Sequence, residues 1–316
     1  MRHIKRVSLS FLLMVALIAG QDAAAAAQDT DSPTIAVGSL GFTESIILGE
    51  MISLLLEDAG YEVERKLDLG TSADAHGALV AGEIDVYVEY TGGGLVAILG
   101  LPVPAAADSG SGTPVASIAE QTYAIVAEAY REQFGLVWLD EIGFNNSYAM
   151  AVTAHTAEAF DLATVSDLAD HASELTLRTD LEFPDRQDGL SGLEAAYGLE
   201  FGAVEPGDPA LMYEAIERGD VDVITAYTTD IRVSELDLVV LEDDRAFFPP
   251  YHAAPVIDGA LLEENPEVGV VINQLAGTID NATMAALNAQ VDDGGMAPID
   301  VARAFLEDQG LIETSP

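Results

Sequence analysis

Two stretches of this sequence repeat one pattern: Gly82-Glu83-Ile84-Asp85-Val86-Tyr87-Val88-Glu89-Tyr90-Thr91 and Gly219-Asp220-Val221-Asp222-Val223-Ile224-Thr225-Ala226-Tyr227-Thr228. In each, a helix-like run precedes a glycine, an acid and an apolar segment, and a Tyr-Thr pair closes the pattern. The glycine suits a helix C-terminus, the apolar run suits a strand in a parallel-type sheet, and the tyrosine leaves that strand at its carboxyl end. Ligands of open α/β sheets sit at that end, so Tyr90 and Tyr227 read as two walls of one cleft. Bond-breaking chemistry finds little support. The chain has no cysteine, and His76, His155, His171 and His252 are scattered without a His-Glu-x-x-His spacing or a Gly-x-Ser-x-Gly elbow elsewhere. The run Thr91-Gly92-Gly93-Gly94 lacks the Gly-Lys-Ser/Thr ending of a phosphate loop and reads as a turn into a helix. The enzyme reading left open is a secreted metal-assisted hydrolase whose abundant carboxylates converge from distant parts of the chain.

The elements that must position the tyrosines follow a strand–helix alternation. A strand at 34–37 leads through the loop Gly38-Ser39-Leu40-Gly41-Phe42 into a helix from Thr43 to about Ala59, which Thr43 or Ser39 could cap and Gly60 ends. Strand 61–67 and helix 72–81 precede the first Tyr-Thr copy. The low-complexity stretch 102–116 is a surface excursion, after which helix 118–133 and strand 136–139 resume the pattern. Trp138, the only tryptophan, reads as core. A second block follows: strand 149–152, a helix near 165–171, strand 175–178, helix 190–197, helix 209–217, the second Tyr-Thr copy and strand 238–241. The stiff segment Phe247-Phe248-Pro249-Pro250-Tyr251 returns the chain to the first block, which helices near 265–276, 280–289 and 298–309 complete. The expected division is therefore residues 33–144 plus 249–316 in one lobe and 145–248 in the other, with two crossings that imply a hinge.

Six motifs in order, Val37-Gly38-Ser39 with Phe42-Thr43-Glu44-Ser45, Gly82-Glu83-Ile84-Asp85 with Glu89-Tyr90-Thr91-Gly92, Asn145-Asn146-Ser147-Tyr148, Glu182-Phe183 with Arg186 and Asp188-Gly189-Leu190, Ala226-Tyr227-Thr228-Thr229-Asp230, and Phe248-Pro249-Pro250-Tyr251, closely resemble the osmoprotectant-binding proteins of ABC importers, the glycine betaine/carnitine/choline group. The resemblance covers nearly the whole chain after its N-terminal segment. It implies an α/β, two-lobed periplasmic-binding-protein fold of type II, each lobe a mixed sheet flanked by helices, with the ligand in the interlobe cleft. It further implies no enzymatic activity and no cofactor or metal, but a monomeric receptor that closes on a quaternary ammonium compound and delivers it to ABC permease membrane subunits. Carried over position by position, the aromatic cage is Tyr90, Tyr148, Tyr227 and Tyr251, with Asn146, Glu182 and Arg186 at polar cleft positions and Arg186 meeting a substrate carboxylate.

The physical reason for such a cage stands without the family. A trimethylammonium head has no N–H to donate, so hydrogen bonds cannot select it, whereas the negative faces of several rings can. Four desolvated contacts at roughly 1 to 2 kcal/mol each give about 4 to 8 kcal/mol before ordering costs, while micromolar affinity needs about 8. A charge-assisted bond from Arg186 would add about 1.5 to 3 kcal/mol. Two positions depart from the family's usual pattern: Leu40 stands where a lysine is common, and Gly93 where a threonine is common. Both departures fall where contacts to a ligand carboxylate are expected, so they bear on which quaternary amine is bound.

Composition bounds the rest. At 316 residues and 49% hydrophobic content the chain can bury two α/β cores. Arg2, Lys5 and Arg6, an apolar run from Phe11 to Ala19 and the small residues Ala23 to Ala27 have the anatomy of a secretory signal peptide over residues 1–27, so the protein is expected outside the cytoplasm, in the periplasm or on the extracellular face, and without cysteine it has no lipid tether. The formal charge of −42 becomes −44 once three basic residues and Asp22 leave with that segment, which disfavours nucleic acid as a partner. The acids are spread along the chain and lysine is limited to Lys5 and Lys66, as in a surface adapted to high salt. Thermal stability of residues 33–316 should therefore rise between about 0.1 M and 3 M salt as self-repulsion is screened, and a melting temperature that does not move over that range would contradict the reading.

Overall fold

The computed structural model describes residues 33–104, 116–186 and 188–314, so the expected leader and most of the 102–116 excursion lie outside the described residues. Among the described residues, ten strands form two five-stranded mixed sheets. The first contains β1 (Thr34–Gly38), β2 (Glu62–Lys66), β3 (Val86–Tyr90), β4 (Leu136–Trp138) and β10 (Ala253–Asp258), in the order β2-β1-β3-β10-β4. The second contains β5 (Tyr148–Thr153), β6 (Thr176–Thr179), β7 (Ala203–Pro206), β8 (Val223–Tyr227) and β9 (Leu238–Val240), in the order β7-β6-β8-β5-β9. The two sheets share one topology. β1 lies parallel to β2 and β3 as β6 does to β7 and β8, and β10 runs antiparallel to β3 and β4 as β5 does to β8 and β9.

The sequence repeat is this symmetry. Gly82 and Gly219 both take positive φ, 71° and 73°, which lets the chain leave a helix and enter the strand at once. The acid three residues later has the same task in both copies. Asp85 accepts the Ala36 N–H at 2.7 Å and returns its own N–H to the Ala36 carbonyl at 2.7 Å, while Asp222 accepts from Thr176 at 2.8 Å and returns to its carbonyl at 3.0 Å. Each carboxylate thus extends the parallel ladder by one rung and sets the register of the central strand pair.

Helix α1 (Thr43–Asp58) is apolar nearly all round, and its Ile47, Leu48, Met51, Ile52 and Leu56 are fully buried against the first sheet and helix 298–308, as a central helix must be. Its start departs from expectation. Phe42 occupies the N-cap position without a side-chain bond, Ser39 accepts the Asp68 N–H, and Thr43 donates to Asp292 at 2.6 Å. Helix α2 (Ser72–Val80) opens instead on a Thr71–Asp74 capping box, and α3 (Ile118–Phe134) on a Ser117–Glu120 one. The helix expected near 165–171 is a 3-10 segment, the one near 265–276 breaks into Pro266–Ile272 and a 3-10 turn, and Gly93–Ile98 after the first Tyr-Thr pair winds as a π-helix. Trp138 is buried in the first core.

The chain passes between the sheets at 139–147 and 241–252, and the two passages pair with each other through an antiparallel bridge between Asn145 and His252. Both Tyr-Thr copies end on this pair. Thr91 donates its hydroxyl to the Pro250 carbonyl at 2.8 Å, accepts the His252 N–H at 3.1 Å and gives its own N–H to the His252 carbonyl at 3.0 Å. Thr228 does the same on the other passage, with Asn145 at 2.7 Å and with Ser147 at 2.9 and 3.1 Å.

Replacing Asp85 or Asp222 with alanine strands a backbone donor, and each change should cost about 1 to 3 kcal/mol. Denaturant titration in concentrated salt would show a lower midpoint with an unchanged slope; two variants that unfold with the wild-type protein would refute the register role.

Candidate ligand-binding site

Tyr148 opens β5 and Tyr227 ends β8, and the antiparallel register puts them directly opposite each other with ring centroids 5.4 Å apart. Phe183, Tyr251 and Phe248 join Tyr148 at 5.0, 6.0 and 6.1 Å, and the Arg186 guanidinium carbon lies 5.8 Å from its ring centre. Tyr251 reaches this cluster from the second passage because position 92 has no side chain; a Cβ on Gly92 would stand 2.7 Å from the Tyr251 ring. Tyr90 is a neighbour of a different kind. Its ring contacts are Phe42 at 5.8 Å and Phe144 at 6.5 Å, on the first sheet's side.

Three of the four tyrosine hydroxyls donate to a carboxylate. Burial pushes all four well above the ordinary phenol range, so they remain donors at neutral pH. Tyr90 donates to Glu44 at 2.7 Å, Tyr227 to Asp180 at 2.7 Å, and Tyr251 to Asp188. The charge of Asp180 adds to burial in keeping the Tyr148 phenol protonated. Asp180 is held in turn by the N–H groups of Glu182 and Phe183 at 2.7 and 2.8 Å. Asp188 takes a bidentate pair from Arg186, Nε at 2.9 Å and Nη2 at 2.7 Å. Glu44 receives Asn146 at 2.9 Å and Asn288 at 3.1 Å as well; its burial raises its pKa, and those donors pull the other way.

Of the residues singled out from sequence, Tyr148, Tyr227, Tyr251 and Arg186 gather in one cluster, and Asn146 joins Tyr90 through their shared acceptor Glu44. Glu182 sits at the rim, its side chain 53% exposed and 3.9 Å from Arg186. Leu40 is a buried member of the first core. Gly93 faces a carboxylate: a Cβ there would lie 2.8 Å from Oε1 of the fully buried Glu89, which also accepts the Tyr90 N–H at 2.7 Å and the hydroxyls of Tyr87 and Ser72. Glu44, Asp180, Asp188, Phe183 and Phe248 are the participants that sequence reasoning passed over. Asp180 had one readable signal, since it follows β6 where Leu40 follows β1. Ser39 and Thr179, the residues before them, make the same hydroxyl bond to the next carbonyl, at 2.9 and 2.8 Å. Among the described residues no three His, Asp or Glu side chains are placed to hold a metal ion, and no helix is long and apolar enough to cross a membrane.

The sequence profile of the substrate binding domain of ABC-type glycine betaine transport systems matches residues 33–308. The chain belongs to that family. Members are transport proteins that bind a substrate, and they act outside the cytoplasm. An ergothioneine transport permease/ergothioneine binding protein of Helicobacter pylori is 34% identical over 85% of this chain, which spans about half, 46%, of that relative's length. A carnitine transport binding protein of Listeria monocytogenes is 34% identical, with 89% of this chain and 88% of the relative covered. The crystal structure of a glycine betaine/carnitine/choline ABC transporter protein superposes with a TM-score of 0.72 at 33% identity, over 88% of this chain and 100% of the other. The shared architecture is the two-lobed type II binding-protein fold.

Glu89 generates a pH signature. Burial, opposed by its hydrogen bonds, raises its carboxyl to about 7 from an ordinary 4.5. A folded-state pKa above the unfolded one means the native protein binds the extra proton, so this group's contribution weakens stability as pH rises from about 4.5 to 7 and is constant beyond. Glu89→Gln should flatten that part of the stability–pH curve, by as much as roughly 3 kcal/mol across the window. An unaltered curve in the folded variant would place the titration elsewhere.

Proposed function

We propose that the chain is the extracytoplasmic receptor of an ABC importer that captures a quaternary ammonium osmoprotectant, such as glycine betaine, choline or carnitine, on its tyrosine cluster and presents it to permease subunits. The observation that carries this is the gathering of Tyr227 and Tyr251 on the ring of Tyr148, with the Tyr227 and Tyr251 hydroxyls bonded to carboxylates. A ring whose hydroxyl donates to a carboxylate gains electron density, which strengthens its attraction for a cation. Centroids 5.4 Å apart leave no space for a trimethylammonium head between Tyr148 and Tyr227. In this reading the head rests on ring faces turned toward Tyr90, which closes the fourth side.

Residues 33–144 with 249–316 would then move as one lobe and 145–248 as the other, about the paired passages at Asn145 and His252. Glu44 stands at this boundary, bonding Tyr90 and Asn288 in the first part and Asn146 in the second. Ligand that touches Tyr90 and Tyr227 together favours the closed arrangement by the difference in its contacts with the two states, and that arrangement is what a permease recognises. The names of the relatives, which bind ergothioneine and carnitine, support a trimethylammonium-bearing ligand.

Calorimetric titration in concentrated salt tests the cage. Tyr227→Ala removes a cation–π partner worth about 1 to 2 kcal/mol and should weaken quaternary-amine binding by about 5- to 30-fold or more, whereas Tyr227→Phe keeps the ring and should stay within about threefold. Unchanged affinity in a folded Tyr227→Ala protein would remove Tyr227 from the site.

A further inference from the structure

Helix Asn281–Asp292 lies in the C-terminal part of the chain, yet one of its faces bonds segments on both sides of the boundary between the lobes. The spacing of Asn281, Asn288 and Asp292 puts them within about 40° of one another around the helix. Asn281 accepts the Asn145 N–H at 3.1 Å and donates to the carbonyls of Asn145 at 2.7 Å and Thr228 at 3.3 Å, so it is fastened to the passage between sheets. Asn288, about two turns farther on, uses one amide nitrogen twice: it donates to Glu44 at 3.1 Å and to the Thr229 carbonyl at 3.2 Å. Asp292 takes the Thr43 hydroxyl at 2.6 Å, and Arg232 beyond the boundary is near enough for each to feel the other's charge.

These bonds join protein to protein and depend on nothing in the cleft. Glu44 also takes the Tyr90 hydroxyl at 2.7 Å, so a continuous chain runs Tyr90–Glu44–Asn288–Thr229 and ends two residues past Tyr227. We propose that Asn288 is a clasp, a positioning residue that favours the closed arrangement before any ligand arrives and so raises affinity without touching the ligand, a role that rests on the two-lobe capture reading above but not on which compound the tyrosines hold. Asn281 grips a passage that the open and closed arrangements share. The Thr229 carbonyl belongs to the other lobe, and its bond to Asn288 is made only when the lobes meet. A bond present in one state alone shifts the equilibrium by its own net strength, which for an ordinary hydrogen bond is about 2- to 12-fold.

Because the chain has no cysteine, spin labels at Val270→Cys and Leu211→Cys, exposed positions on opposite sides of the boundary, report the distance between the lobes by pulsed electron resonance. In concentrated salt and without ligand, about a tenth or more of the molecules should show the distance of the present structure, and Asn288→Ala should lower that population about 2- to 12-fold. Calorimetric affinities for choline and for glycine betaine should fall by one common factor in the same range, since a residue that touched the ligand would change the two unequally. A ligand-free protein found wholly at longer distances overturns the proposal. So does an unchanged distance distribution in folded Asn288→Ala, or a loss of affinity confined to one compound. Should Asn288→Ala not fold, the wild-type distribution decides together with Asn288→Asp, which keeps the side chain's shape and removes its donors. Binding of neither compound to the wild type brings down the tyrosine-cluster reading, while the distances measured without ligand still judge the clasp.

Discussion

Three hydrogen bonds at each Tyr-Thr pair hold the architecture together. Thr91 and Thr228 each use one hydroxyl and one N–H to grip a chain passage, and the passages they grip pair with one another through Asn145 and His252. The strand end that delivers a tyrosine to the cleft is therefore the same strand end that is fastened to the connection between sheets. Ring position and interlobe geometry cannot vary independently. In the proposed reading, a small ligand's contacts bias the relation between the two sheets through these two short passages.

Carboxylates play opposite parts at the surface and inside. On the surface they accumulate with little lysine to balance them. The buried and half-buried ones have partners: Glu50 pairs with Arg65, Asp85 and Asp222 complete ladders, Glu44 accepts from both halves of the molecule, Asp180 and Asp188 sit behind the rings, and Glu89 fills the space left by Gly93. Desolvation makes an unpartnered buried carboxylate costly, so such groups survive only where several donors converge.

Much of this was legible beforehand. The repeated Gly–acid–strand–Tyr-Thr pattern reported two equivalent strands because each residue type in it answers a local requirement: a left-handed turn, a ladder acceptor, an apolar strand, a strand end. Less local features were missed or misplaced. Neither expected residue caps α1, because Ser39 and Thr43 found distant partners in Asp68 and Asp292. Strands β7 and β10 were not anticipated, and β10 in particular completes the first sheet only by returning from the second.

By itself the sequence determined the family and the alternation of elements and singled out four tyrosines, since these depend on residue type and spacing along the chain. Only the tertiary structure decided what stands behind those tyrosines. Asp180 and Tyr227 are far apart in the chain, as are Asp188 and Tyr251 and Glu44 and Tyr90, yet each pair meets through one hydrogen bond. Arg186, which the sequence offers as a free cation, is engaged by Asp188 two residues away, through Nε at 2.9 Å and Nη2 at 2.7 Å. Charge available to a ligand is what remains after the protein's own groups have paired, and that remainder exists only in three dimensions.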